Sequence, residues 1–545
     1  MPRSHATVTG RLAWLVWWRI LLGMALALSA GSCASLPADV ERPASWALET
    51  PQQTWLGQLA QARHAQAHAR SPSAFGLLDR VEKAFAGRLA LIDGAQRSLD
   101  LQYYAIHADA STAILLDRIR AAAARGVRVR ILVDDFNAAG EDAQVLRLAF
   151  EPRIAVRLFN PLPGPRGSVV EKALGALGNL DRLQQRMHNK LFVADNAWGI
   201  TGGRNLGDAY FGGDGETRFV DLDVLAAGPI VRAMSASFDR YWNDARAYPV
   251  QALMSPKDLD HLRQRQRLLL RGAEAPPLAS TPPPGSLALQ PPQPLDLRQV
   301  PLAWAPAALL ADRPGKLEPG GDDEEPGETV VEGLLDLMRQ ARREVLVVSP
   351  YFVPGRQMQE TFAQLRQRGV SIRVLTNSLA STDAPAAHAG YARHRAQLLK
   401  LGVALHEMRA DAQEGPGRGS APGVLAGAAG GSKAGRSRAS LHSKAVVIDR
   451  RLVVIGSMNL DLRSQLHNSE VALVIRSAPL SRQAAQLVDR SLATQAWRVE
   501  AAGDTLRWRA PPGMPWPEPG QEPDAPLRLR WMLRLLGPLA PDELL

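Results

Sequence analysis

The sequence predicts an α/β protein of two homologous lobes, each a mixed β-sheet flanked by helices, packed about a pseudo-twofold axis around one shared active site. Three observations carry this expectation. First, one constellation occurs twice. His188-Asn189-Lys190 is followed by Asp195, Gly202, Gly203 and Asn205, and His442-Ser443-Lys444 by Asp449, Gly456, Ser457 and Asn459, at the same offsets. Both copies read H-x-K-x4-D-x6-G-[GS]-x-N, and with only 11 histidines in 545 residues the recurrence is no accident. Second, Arg125-Gly126-Val127-Arg128-Val129-Arg130-Ile131-Leu132 aligns with Arg368-Gly369-Val370-Ser371-Ile372-Arg373-Val374-Leu375, at nearly the spacing that separates the two His-x-Lys copies. What repeats is thus a whole lobe, far longer than a solenoid unit. Third, apolar strand-like runs alternate with helical patterns in both halves, as in α/β folds.

Taken in order, residues 1–33 have Arg3, Arg11 and Arg19, an apolar stretch over 20–30, and small residues before Cys33. That is the layout of a secretory signal. It is similar to a bacterial lipoprotein signal, with Cys33 as the lipid attachment residue, although Ala30 stands where that box usually has leucine. The alternative is an uncleaved anchor helix over 12–30, in which Arg19 would cost a few kcal/mol near the bilayer centre. Either arrangement places the protein at a membrane; the first implies export and lipid anchoring on the periplasmic side of the inner or outer membrane, the second an inner-membrane anchor. Residues 34–73 form an N-terminal extension, and the first lobe is expected over 74–260. Within it the pattern predicts a helix over 75–95, a strand over 98–104, a helix over 111–125 closed by Gly126, and strands over 127–134, 153–159 and 191–194. The stretch 261–329 is rich in proline, with an acidic cluster at 322–325, and is expected to be an extended linker or surface insertion. The second lobe, 330–500, repeats the order: a helix over 330–343, a strand over 344–348 and another over 371–376. The Gly-, Ser-, Ala- and Arg-rich stretch 415–440 before the second motif is expected to be a solvated loop, with a lid over the site as the alternative. In the tail, 501–545, the run 527–536 mixes arginine with leucine and tryptophan, as an interfacial segment or one docked on the body would.

Bulk properties narrow the function. A hydrophobic fraction of 46% with 22% charged residues suits two ordinary globular cores. The net charge of +10 suits an anionic partner, either a membrane surface or nucleic acid. A single cysteine excludes an internal disulfide framework and a cysteine-based metal site.

The repeated residues suit phosphodiester chemistry. On a strand, positions i and i+2 share a face, so His188 and Lys190 can enter one site, as can His442 and Lys444. Two imidazoles and two ammonium groups in one pocket favour an anion with several oxygens. One neutral imidazole can attack phosphorus while the other, protonated, gives its proton to the leaving oxygen. Lys190, Lys444, Asn205 and Asn459, helped by Ser457 and by backbone approach at Gly203, would hold the non-bridging oxygens. Asp195 and Asp449 would orient the imidazoles or structure the site. The scheme needs no metal and no cofactor, and the coupled histidines imply a bell-shaped pH profile. His388 and His394 are expected to be structural, and Tyr104 and Tyr351 to pack in the core.

Both motif copies resemble the phospholipase D superfamily, over roughly residues 75–500. Gly203 stands where that family more often has serine. Glu470, in His467-Asn468-Ser469-Glu470, matches the acidic residue the family places after its second motif, and Asp221 is the nearest counterpart in the first lobe. Leu101-Gln102-Tyr103-Tyr104, Arg204-Asn205-Leu206-Gly207-Asp208-Ala209-Tyr210-Phe211, Thr376-Asn377-Ser378-Leu379-Ala380 and His388-Ala389-Gly390-Tyr391-Ala392-Arg393 resemble the C-type bacterial cardiolipin synthases. That resemblance implies transfer of a phosphatidyl group through a phosphohistidine to the headgroup hydroxyl of another phospholipid. It implies phospholipid substrates at a membrane surface, phosphatidylglycerol and also phosphatidylethanolamine. A phospholipase D hydrolase releasing phosphatidic acid would use the same residues with water as acceptor. A nuclease is disfavoured because no basic stretch is interleaved with aromatics, and a non-catalytic lipid-binding protein because both motifs are intact. Protein partners are not identifiable from the sequence.

Overall fold

The computed structural model describes residues 36–137, 140–163, 180–212, 217–254, 292–317, 329–410, 438–503 and 505–536. Cys33 and the glycine-rich part of 415–440 lie outside the described residues. The first half supplies β1 (Ala74–Leu78), β2 (Ser98–Tyr103), β3 (Arg128–Asp134), β4 (Ile154–Phe159), β5 (Arg186–Met187), β6 (Leu191–Ala194), β7 (Trp198–Gly202), β8 (Thr217–Val220), β9 (Asp223–Ala227), β10 (Ala247–Pro249) and β11 (Ala303–Trp304). The second supplies β12 (Ala307–Ala311), β13 (Glu344–Val348), β14 (Ser371–Asn377), β15 (Ala404–Met408), β16 (Arg438–Leu441), β17 (Ala445–Ile448), β18 (Leu452–Gly456), β19 (Asn468–Ser469), β20 (Val471–Ile475), β21 (Ala496–Ala502) and β22 (Thr505–Arg509).

Two nine-stranded sheets result, in the orders β10-β4-β3-β2-β6-β7-β9-β1-β11 and β12-β20-β18-β17-β13-β14-β15-β21-β22. Read in opposite directions the orders match: β1 answers to β12, β2 to β13, β3 to β14, β6 to β17, β7 to β18 and β9 to β20. Both sheets are mixed, as expected. β2-β3-β4 and β13-β14-β15 run parallel, and each set meets an antiparallel hairpin, β6-β7 or β17-β18, that carries a motif. The parallel strands are buried on both faces along most of their length, so the polar residues within them are paired, as Arg130 is with Asp100 at 2.7 Å. One apolar core joins the lobes, packing Leu191, Val193, Val224 and Phe238 with Val348, Leu375, Val447 and Leu473. The two sheets therefore form one body.

The structure corrects two expectations. Residues 74–78 form a strand, and the helix begins only at Val81. Ala-Phe-Gly-Leu-Leu is a short apolar run paired between β9 and β11 and buried throughout, and burial on both faces erases the periodicity that separates strand from helix. Over 292–317 the expected linker is built into the lobes: it places β11 on the first sheet and β12 on the second, so the chain passes from lobe to lobe through two strand pairings. The helix Leu527–Leu536 is packed on the body by one face.

Candidate active site

Two further two-stranded sheets cross between the lobes, and they build the site. β5 pairs in parallel with β19, and β16 with β8. Each ladder ends at a functional pair. His188 follows β5 and its backbone N–H donates to the Ser469 carbonyl at 2.9 Å, which sets it beside Glu470. His442 follows β16 and donates to the Val220 carbonyl at 2.8 Å, which sets it beside Asp221. Each imidazole thus takes its carboxylate from the other lobe: His188 Nδ1 lies 2.9 Å from Glu470 Oε2, and His442 Nδ1 lies 2.7 Å from Asp221 Oδ2. With Nδ1–H donated to a carboxylate, Nε2 of each ring is left as the reactive nitrogen.

The lysines close the same cluster. Lys190 Nζ donates to the His188 carbonyl at 2.8 Å and Lys444 Nζ to the His442 carbonyl at 2.6 Å. All four carboxylate and ammonium groups, with both imidazoles, are buried. Burial pushes Lys190 down to about 7 and Lys444 down to about 8, and pushes Glu470 up to about 7 and Asp221 also upward. Burial, with the positive charges of Lys190 and Lys444, holds both imidazoles well below their ordinary range, so both are neutral. A buried site with cations and neutral imidazoles is arranged to receive an anion.

The two halves differ in how the carboxylate is held. Glu470 accepts hydrogen bonds from the Ser457 and Ser464 hydroxyls. Asp221 accepts from the Leu222 backbone N–H at 2.8 Å. The difference explains Gly203, which occupies the place of Ser457. A Cβ on Gly203 would fall 2.3 Å from Asp221 Oδ1, so a serine there would push the carboxylate off His442. The shorter aspartate reaches its imidazole only past a residue without a side chain. Asn205 accepts from the Ala105 N–H at 3.3 Å and donates to the Tyr210 hydroxyl at 3.0 Å. The side-chain oxygen of Asn459 is buried with no hydrogen-bond donor among the described residues.

Asp195 and Asp449 do not belong with this group. Asp195 accepts from the backbone N–H groups of Gln96, Arg97 and Ser98, and Asp449 from those of Arg342, Arg343 and Glu344. Each lies in the turn joining its motif hairpin, in the left-handed conformation at φ 52° and 53°, and ties that turn to the start of β2 or β13. The spacing that suggested an orienting role instead reflects hairpin length, since the strand after each lysine carries the aspartate to the far end of that strand. Asp195→Ala, which strips three bonds from a fully buried carboxylate, is expected to cost about 3 kcal/mol, and half-buried Asp449→Ala about 1–2 kcal/mol. Denaturant unfolding measures both, and the folded variants should keep the wild-type pH profile of turnover.

Aromatic rings missed as site residues line the imidazoles. Tyr104 meets His188 edge-on at 5.1 Å, with Lys190 Nζ 5.6 Å from its ring centre, and Tyr210 meets His442 edge-on at 5.3 Å. Tyr104 is half-buried rather than core, and burial raises it to about 12, so it stays a neutral hydroxyl. Tyr351, also half-buried, donates to Asp383 at 2.7 Å. Its place after β13, matching Tyr104 after β2, was the available signal. His388 is buried against Arg395, 2.7 Å away, and serves packing, as expected.

Comparison with known proteins agrees with this geometry. A family model described as "Cardiolipin synthase, PLD-like domain" matches residues 89–242 and 334–492, one copy per lobe. The chain is 36% identical to cardiolipin synthase C of Escherichia coli K12 over 77% of this chain and 85% of that protein. It is 31% identical to an uncharacterized protein of Helicobacter pylori 26695, over 80% and 83%. A crystal structure of phosphatidylserine synthase from Haemophilus influenzae Rd KW20 shares the fold, with a TM-score of 0.52 at 14% identity, covering 80% of this chain and 91% of that one. With one motif on each lobe and a family match spanning both, the chain belongs to the phospholipase D superfamily of phosphodiesterases and transphosphatidylases, in the cardiolipin synthase family of PLD-like domains.

Proposed function

We propose that the protein moves a phosphatidyl group from one phospholipid to a hydroxyl of another through a phosphohistidine. The observation that carries this reading is the pair of cross-lobe dyads, His188–Glu470 and His442–Asp221, each with the motif lysine bonded to its histidine's carbonyl. The substrate's phosphodiester anion binds to Lys190 and Lys444, with the carboxamides of Asn205 and Asn459 beside its non-bridging oxygens. One neutral imidazole attacks phosphorus through Nε2, forming the P–N bond as the P–O bond to the departing headgroup breaks. The other imidazole, protonated once the anion offsets the lysine charge, gives its proton to that leaving oxygen. In the second step it takes the proton of the acceptor hydroxyl as that oxygen attacks phosphorus and the P–N bond breaks. Glu470 and Asp221 hold the tautomers, and the non-bridging oxygens gain charge where the lysines stand.

The relatives named cardiolipin synthase favour a lipid hydroxyl as acceptor, with the headgroup of phosphatidylglycerol as acceptor and phosphatidylglycerol or phosphatidylethanolamine as donor. The site works at a membrane. The lipoprotein-like start supports anchoring through Cys33 on the outer side of the cytoplasmic membrane or on the outer membrane, and among the described residues no helix is long and apolar enough to cross a bilayer. The test is product identification from labelled phosphatidylglycerol, with and without phosphatidylethanolamine. Cardiolipin is expected. Phosphatidic acid alone would replace the transferase with a hydrolase, and cleavage of DNA with inert lipid would exclude both.

A further inference from the structure

The helix Leu527–Leu536 has two apolar faces, and only one is used. Leu529 and Leu533 pack on Leu379, Ala380, Ala410 and Ala525. Leu527, Trp531 and Leu535, spaced four apart on the other face, are 71%, 60% and 64% exposed. Three of the large apolar side chains standing in solvent among the described residues therefore lie in one stripe. Exposed Arg528 and Arg534 flank it, Arg534 lies 5.9 Å from the Trp531 ring centre, and the helix contains no acidic residue.

The helix is fixed to the body close to the catalytic centre. Arg530 donates to the Glu522 carbonyl at 2.9 Å, the Glu522 carboxylate pairs with buried Arg395, and Asp524 pairs with Arg409 at 3.1 Å. Leu379 and Ala380, beneath the helix, follow Asn377 by two and three residues. The Asn377 carboxamide accepts from the Leu441 N–H at 2.8 Å and donates to its carbonyl at 2.9 Å, and Leu441 precedes His442. The helix thus packs on the segment whose Asn377 is bonded to the residue before His442. On the His188 side, Phe136, stacked on Tyr104, and Leu466 are also exposed apolar groups.

We propose that this helix is the surface by which the folded body rests on an anionic phospholipid bilayer. Leu527, Trp531 and Leu535 enter the acyl boundary, and Arg528 and Arg534 pair with headgroup phosphates. An apolar stripe between two arginines matches a layer that is apolar below and anionic above. A second copy of the chain is a poor occupant, since it would bring arginine against arginine with no carboxylate on either helix. The contact is separate from any anchor at the N-terminus: an anchor tethers the chain, whereas this helix sets the orientation in which the site faces the lipid. The inference rests on the lipid reading above for the nature of the occupant.

The test uses the full chain bound to phosphatidylglycerol–phosphatidylcholine vesicles whose phosphatidylcholine carries brominated acyl chains. Tryptophan quenching is compared between the wild type and Trp531→Phe, which removes one exposed indole and should leave the melting temperature unchanged. The wild type is expected to show a quenched component that Trp531→Phe lacks, and Arg528→Glu with Arg534→Glu should cut that component at least twofold. Equal quenching in wild type and Trp531→Phe overturns the proposal, as does burial of Trp531 by self-association without lipid. Lipid turnover by the wild type is read in parallel. A quenched Trp531 without turnover keeps the docking surface and defeats the transferase, while turnover with Trp531 unquenched does the reverse.

Discussion

Replacing either His188 or His442 by alanine is expected to lower lipid turnover by more than about 10⁴-fold, and replacing both should do no further harm. The two imidazoles act on one phosphorus, one bonding to it and the other moving the proton, so each alone is idle. Two independent sites would behave differently: each single variant would keep about half the activity, and only the double variant would lose it. Steady-state turnover of labelled phosphatidylglycerol by the three variants separates these outcomes. Glu470 and Asp221 stay tied to Ser457, Ser464 and the Leu222 N–H in the variants, which keeps the vacated sites hydrogen-bonded.

The carboxylates should come next in effect. Glu470→Gln and Asp221→Asn are each expected to lower turnover by about 10²–10⁴-fold, because an amide can present its N–H to Nδ1 and so leave the ring proton on Nε2, the nitrogen that must be free to attack phosphorus. These are positioning residues, and the pH profile distinguishes that role from a merely structural one. Lys190 and Lys444 must be protonated to receive the anion, so kcat/KM should fall as pH rises through about 7 to 8, the values to which burial has pushed them. Glu470 raises Lys190 and Asp221 raises Lys444 by their negative charge. Removing either charge lets its lysine lose the proton sooner, so the alkaline limb should move to lower pH. A variant that only loosened the fold would lose activity without moving the limb.

Much of this was legible in the chain because the site is written twice. The repeated His-x-Lys, the strand phrases at matching spacing and the mixed α/β order foretold two lobes and a shared site. The acidic residues matched from family resemblance, Glu470 and Asp221, proved to be the imidazole partners. What escaped the sequence has physical causes. Asp195 and Asp449 share the motif's spacing yet serve backbone N–H groups, since spacing along a hairpin does not report which end of the sheet a side chain reaches. Residues 74–78 lack periodicity because both faces are buried. The proline-rich 292–317 stretch carries strands that exist only by pairing with sheets distant in sequence. The aromatic rings on the imidazoles come from separate elements brought together by the fold. Gly203 is explained by the 2.3 Å approach of Asp221, a distance that no sequence carries.

The two lobes share one phosphorus centre. The direct measurement is the amount of phosphatidyl group held covalently by the protein when labelled phosphatidylglycerol is mixed in excess and the reaction is stopped within the first turnover in alkaline denaturant, which preserves phosphohistidine. One label per chain, on a single histidine of the pair, is predicted. Two labels per chain, one on each of His188 and His442, would show two separate sites, and the absence of any covalent label during active turnover would contradict the phosphohistidine.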